Sequence, residues 1–265
     1  MFAAMDRAPR VQASLLLVGL VLLVGLACTL LAGCTAPRED FQRRQLIVGC
    51  SFDSPSLSTL GPDDRPRGRD VELLRRIARR FDRVLVWRRI PPDGLLEAGE
   101  SLRVQVVCAS LSGSDSERVD LTRAHRRESL VIVVLAGEGA PASRSDLAGK
   151  RVGVDGPVGE VMRRELPAAE PVAVRGPAAG GALLARGELD ALVLPAAAAR
   201  DLRDIGAGTL RVLSEPLASR PISLGVAPGE ERGALLEALD RALEEMQRSG
   251  ELAALDESYG LGTDL

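Results

Sequence analysis

The sequence predicts an α/β protein made of two units. Short apolar runs alternate with amphipathic helical stretches from about residue 45, and the pattern starts over near residue 135. The chain of 265 residues is 46% hydrophobic with a net charge of −3. Such alternation argues for parallel sheets with helices on their faces. The near-neutral balance argues for a globular chain and implies neither nucleic acid nor an acidic partner.

The first segment is a targeting signal. Arg7 and Arg10 precede residues 11–31, which are almost wholly apolar and uncharged, a basic region followed by a hydrophobic one. Roughly 20 apolar residues can cross a bilayer, so the residues that follow decide. Leu31, Ala32, Gly33 and Cys34 resemble the lipobox of bacterial lipoproteins. That resemblance implies a signal peptide at 1–33, cleavage before Cys34, lipidation of its sulfur, and an extracytoplasmic protein anchored to a membrane by lipid. Two or more acyl chains, at about 0.8 kcal/mol per buried methylene, hold firmly where one is reversible. Residues 34–44, polar and without periodicity, read as a tether.

Residues 46–48 form a buried-type strand, and a loop rich in Pro, Gly, Asp and Ser covers 51–69. Asp70 is then expected to cap a helix in which Val71, Leu74, Ile77, Ala78 and Phe81 recur at helical spacing. Arg75, Arg76, Arg79 and Arg80 fall on its polar side and read as a solvated face. A strand is expected at 84–87, a short helix at 94–98, a strand at 104–109 and a continuous apolar run at 130–136. The second unit gives strands at 151–154, 172–174 and 191–194, with helices at 158–166 and 181–186 between them. Apolar segments at 210–213 and 222–226 lead into a helix carrying Leu235, Leu239, Leu243 and Met246 on one face. Gly250 ends it as a left-handed cap, and 251–259 make a last short helix. Cys50 and Cys108 sit at strand ends, either as free buried thiols or as a disulfide.

Several strings in this order resemble family 3 of the bacterial extracellular solute-binding proteins, the polar amino-acid type. Val48-Gly49 and the turn through Phe52, Asp53, Pro55 and Leu57 match the family's opening strand and turn. Gly68-Arg69-Asp70 matches its Gly-Phe-Asp helix entry. Val119-Asp120-Leu121-Thr122 matches its Val-Asp-Phe-Ser. Residues 147–154 match its Leu-Ala-Gly-Lys-Lys-Val-Gly-Val, and 188–193 match its Val-Asp-Ala-Val-Val strand entry. The resemblance implies the two-lobed type 2 periplasmic-binding-protein fold, each lobe a mostly parallel sheet flanked by helices, with two crossover hinge strands. Lobe 1 would comprise 45–134 and 215–265, and lobe 2 residues 135–214. A small-molecule ligand, an ABC permease partner and a monomeric state are expected.

The same resemblance exposes departures at the ligand site. Family members grip an α-carboxylate with the Arg of a Thr-x-x-Arg turn. Counted back from Val119, that turn falls on Ser112, Gly113, Ser114 and Asp115, and Arg118 could replace the missing arginine only if the loop re-registers. The ammonium-pairing Asp position is Pro195. The Gly-Ser-Thr that offers donors to the carboxylate is Gly156, Pro157 and Val158. The stacking Phe is Leu57, and the Tyr after Val-Asp-Phe-Ser is His125. The expected ligand-binding residues are therefore Ser51, Asp53, Leu57, Ser110, Ser112, Arg118, His125, Gly156 and Val158. For His125, the only histidine, a partly exposed hinge-side position is expected. For Asp53, ligand contact and local backbone bonding stand level.

No metal-ligand cluster, phosphate loop or nucleophile with a base is recognisable, so neither cofactor nor catalysis is expected. The expected function is capture of a solute other than a standard α-amino acid for an ABC importer. The alternative is a non-transporting lipoprotein that keeps the fold as a sensor or scaffold.

Overall fold

The computed structural model describes residues 44–101, 103–156, 158–204, 210–229 and 232–261. The signal peptide at 1–33, the lipidation site Cys34, the tether as far as residue 43 and Pro157 lie outside the described residues.

The first half of the chain runs through β1 (Gln45–Cys50), β2 (Asp53–Ser54), β3 (Ser58–Leu60), β4 (Pro66–Arg67), α1 (Arg69–Arg80), β5 (Val84–Arg89), α2 (Leu95–Glu100), β6 (Val106–Leu111) and β7 (Asp120–Leu121). The long strand β8 (Arg126–Leu135) leads to β9 (Arg151–Val154), α3 (Val158–Glu165), β10 (Glu170–Ala173), α4 (Gly176–Ala185), β11 (Ala191–Pro195), α5 (Ala196–Asp204) and β12 (Leu210–Val212). The second long strand, β13 (Ala218–Val226), precedes α6 (Arg232–Arg248) and α7 (Glu251–Ser258).

The main path of strands is β10-β9-β11-β8-β13-β6-β1-β5. Within it β9 pairs parallel with β10 and β11, and β1 pairs parallel with β6. The long strands β8 and β13 pair antiparallel with each other and with the neighbours on either side, β11 and β6. They join two α/β halves. Around β1 and β6, the faces of α1 and α6 bury Val71, Leu74, Ile77, Leu239, Leu243 and Met246. Around β9 and β11, separate apolar clusters cover the two faces of the sheet, one with Met162 of α3 and the other with Leu202 of α5. Each such side chain contributes about 1.5–3 kcal/mol of burial.

Several sequence expectations are corrected. The loop at 51–69 contains a small three-stranded sheet, β2-β3-β4, because its short runs between turns pair with one another. Asp70 is not the cap of α1. Gly68 holds that position at φ 116, and a Cβ there would lie 2.4 Å from the Leu57 carbonyl oxygen, so glycine alone fits the turn. The strand expected at 104–109 begins at Val106, since Val104 packs with Leu95 and Ala98 of α2 instead. Helix α4 starts five residues earlier than expected, with Pro177 in its first turn. Helix α5 was hidden by a run of alanines without polar punctuation. Gly250 does adopt the left-handed conformation, φ 77, between α6 and α7.

Candidate functional site

The turn after β1 and the turn after β9 approach each other between the two halves of the sheet, with Asp53 and Asp155 within electrostatic range. Phe52 turns the chain just after β1 in a left-handed conformation, φ 56. Its ring goes into the core against Trp87 in an edge-to-face contact at 5.7 Å, which leaves Ser51 and Asp53 on the outer side. Ser51 Oγ donates to Asp53 Oδ1 at 2.5 Å. Next to them, Ser54 Oγ and Ser56 Oγ donate to the two carboxylate oxygens of Asp201 on α5, at 3.1 and 2.5 Å. One carboxylate of the second half thus holds the β2 turn of the first.

Asp155, which follows β9, is half-buried. Burial, joined by the nearby Asp53 carboxylate, holds its carboxyl above the ordinary value against the opposing Gly176 N–H. Among the described residues neither Asp53 nor Asp155 has a basic ion-pair partner. The seam therefore carries negative charge from both sides.

Beneath the seam lies a buried ionic network. Glu128 on β8 is 3% exposed and accepts from Arg126 Nη2 at 3.0 Å, from Ser110 Oγ at 3.3 Å and from Arg220 Nη2 at 2.6 Å. Arg220 stands opposite Glu128 in the β8–β13 register, so the pair ties the two long strands together. Arg69, fully buried, donates through Nε to Asp256 at 2.6 Å and through Nη1 to Asp70 at 2.9 Å. Its Nη1 also lies 2.7 Å from His125 Nδ1. A guanidinium only donates, so Nδ1 accepts and the ring proton sits on Nε2, a buried atom without a hydrogen-bond partner among the described residues. Burial, then the neighbouring Arg69 and Arg126 cations, depress the His125 pKa to about 3 against the pull of Asp70. Burial alone would raise the Asp70 carboxyl, but the Arg69 and Arg126 cations hold it below its ordinary value.

The expected ligand residues scatter accordingly. Ser51 and Asp53 stand together at the seam, and Ser110 joins the Glu128 network. His125 is 2% exposed rather than partly exposed, because Arg69 supplies an internal partner for its ring. Ser112 accepts from and pairs with its own turn. Its backbone N–H donates to Asp115 Oδ2 at 2.8 Å, the reciprocal arrangement of a capping box. Arg118 lies at the surface, bound in a fork to Glu100 at 2.8 and 2.9 Å. Leu57 is 7% exposed, its carbonyl accepting from the Asp70 N–H. Gly156 is exposed, and Val158 packs into the core of the second half. Sequence reasoning missed Arg69, Arg126, Glu128, Arg220, Asp155 and Asp201. Only Arg69 left a trace, as a charged residue in the place of the family's Phe. Among the described residues no group of three or more His, Cys, Asp or Glu could hold a metal, and no helix is long and apolar enough to cross a membrane.

Residues 46–262 match the family model described as bacterial extracellular solute-binding proteins, family 3. The L-cystine-binding protein TcyJ of Escherichia coli (strain K12) is 28% identical over 229 residues, covering 84% of this chain and 85% of that protein. The P235GK mutant of ArgBP from T. maritima is 27% identical, with TM-score 0.70 over 84% of this chain and 97% of that one. A histidine kinase sensor domain similar to periplasmic binding proteins superposes with TM-score 0.72 at 23% identity, covering 82% and 96% of the two chains. That last likeness concerns the fold.

Proposed function

The chain belongs to the bacterial extracellular solute-binding proteins, family 3, and from that premise we propose a membrane-tethered lipoprotein that captures a solute for an ABC importer. The solute is not a standard α-amino acid. Lobe 1 comprises 45–134 and 215–265, lobe 2 comprises 135–214, and β8 and β13 are the hinge strands between them. Cys34 carries the lipid.

The observation that carries the ligand reading is the fate of the anion grip. Asp115 stands at its position and is spent on a cap, while Arg118, the one arginine that could re-register, is held at the surface by Glu100. A carboxylate entering the seam would face Asp53 and Asp155 instead of a guanidinium, and like charges repel. These two acids favour a ligand that carries positive charge and no carboxylate.

A thermal-shift series tests this. L-arginine and L-cystine are compared with agmatine and cystamine, which keep the side-chain groups without carboxylates. Ligand at a hundred times its dissociation constant adds about 2.7 kcal/mol, so binding is visible as a raised midpoint. The amines should stabilise and the amino acids should not; the reverse order would sink the reading. For the anchor, Cys34→Ala should abolish labelling of the exported protein by a fatty-acid probe, and labelling that persists would count against lipidation at this site.

A further inference from the structure

Two cysteines, far apart in the chain, are set side by side by the fold. Cys50 ends β1, Cys108 lies in β6, and in the parallel pairing of these strands the two are register partners. Neighbouring strands run about 4.8 Å apart, which falls inside the roughly 4.4–6.8 Å Cα separation of disulfides. Register partners in a parallel pair point to the same face. Both side chains enter the same core cluster, 0% and 3% exposed, so each thiol has the other as its sulfur neighbour away from water.

We propose that Cys50 and Cys108 are the two halves of a disulfide that ties β1 to β6 at the edge of the seam; the structure shows its reduced form, with both thiols free. The thiols are within hydrogen-bonding reach of each other. Contact with the Cys108 thiol, helped by the Ser58 hydroxyl and the Phe52 backbone, lowers the Cys50 pKa, while the same contact and burial raise that of Cys108.

The oxidant is a small-molecule disulfide of the glutathione type. One of the two cysteines, as its thiolate, attacks one of the oxidant's sulfurs, forming a mixed disulfide and expelling one thiolate, which takes up a proton. The other cysteine, deprotonated in turn, then attacks the protein sulfur of that mixed disulfide and expels the second thiolate, which also takes up a proton. The protein pair loses two electrons and two protons, and the oxidant leaves as two thiols. Because both sulfurs are sealed in the folded core, the exchange takes place while the chain is still folding.

The test is refolding of the denatured, reduced full chain in a buffer of oxidised and reduced glutathione. The sample is then acid-quenched, alkylated in denaturant with iodoacetamide and mapped by mass spectrometry, which separates this pair from Cys28 and Cys34. The expected result is one linked Cys50–Cys108 peptide, released by dithiothreitol, and a melting midpoint about 5–10 °C above that of the reduced protein. The double variant Cys50→Ser, Cys108→Ser should melt at the same temperature with and without reductant. Cys50 and Cys108 each alkylated, or each carrying glutathione without a link, would overturn the proposal. None of these readouts involves a ligand, so failure here leaves the transport reading untouched.

Discussion

Around β1 and β6 the interior holds charge. Arg69, Asp70, His125 and Glu128 are each at most 4% exposed. Around β9 and β11, between residues 135 and 214, every buried side chain among those described is hydrophobic. The ion pairs of that region among the described residues, Arg151–Asp190, Arg164–Glu165 and Arg186–Glu188, stand at the surface. One half is thus held by transfer of apolar surface, while the other adds a set of ions that must satisfy one another. The network comprises the cations of Arg69, Arg126 and Arg220 and the anions of Asp70, Glu128 and Asp256. It balances only while His125 is neutral. A buried ion pair contributes little beyond what a packed apolar pair would, but removing one member leaves a charge stranded.

The largest expected effect breaks the comparison at its centre. Arg69→Met keeps most of the volume but leaves Asp70 and Asp256 without their shared cation and His125 Nδ1 without its donor. A loss of about 3–5 kcal/mol in urea unfolding is expected. A double cycle with Asp256→Ala should return a coupling of about 1 kcal/mol or more, since the two side chains touch. A loss below about 1 kcal/mol for the single variant would place this pair with the surface pairs of the other half, and the contrast would disappear.

The next effect is read through pH. The His125 pKa is about 3 in the folded protein against an ordinary value of 6.5, so below pH 6.5 the unfolded chain binds a proton that the native state refuses. The contribution is fully present above pH 6.5 and is lost as pH falls from there toward about 3. Between pH 7.5 and 5.5, the loss should be about 1.4 kcal/mol, measured as the fall in unfolding free energy. His125→Gln, which cannot take the proton, should flatten that slope. An unchanged slope would mean that the ring is not the group responsible.

The contrast also explains what could be read in advance. The half around β9 and β11 follows from periodicity, because its elements are specified by where apolar residues fall. Strand 151–154 and the helix beginning at Val158 came out at the expected positions, and only the alanine run of α5, with no polar residue to mark a face, went unseen. In the half around β1 and β6 the main strands and helices were also legible, apart from the small β2-β3-β4 sheet, but its interior was not. Asp70 looked like a cap and His125 like a hinge-side surface residue, because each is polar and polar residues are ordinarily exposed. Their burial depends on Arg69 and Asp256, partners brought together across the whole length of the chain, which no local pattern reports. The seam was legible in part, through Ser51 and Asp53 on its first side. The missing arginine at Asp115 could be seen, whereas Asp155 and Asp201 have no counterpart in the motifs used to find them.

The smallest effect sharpens the other side. Arg151 reaches Asp190 through Nε and Nη2, both at 3.1 Å, and the Gly187 carbonyl at 2.7 Å. The geometry is as complete as that of Arg69, but the side chains are 43% and 29% exposed. Water and salt screen such a pair, and exposed pairs typically contribute about 0.2–1 kcal/mol. In Arg151→Ala, Asp190 would still accept from the Arg151 backbone N–H, now at 2.8 Å, and its remaining charge would be open to solvent. A loss of no more than about 1 kcal/mol is expected, shrinking further in concentrated salt. A loss as large as that of Arg69→Met would show that exposure does not separate the two halves, and that the number of hydrogen bonds around each guanidinium does.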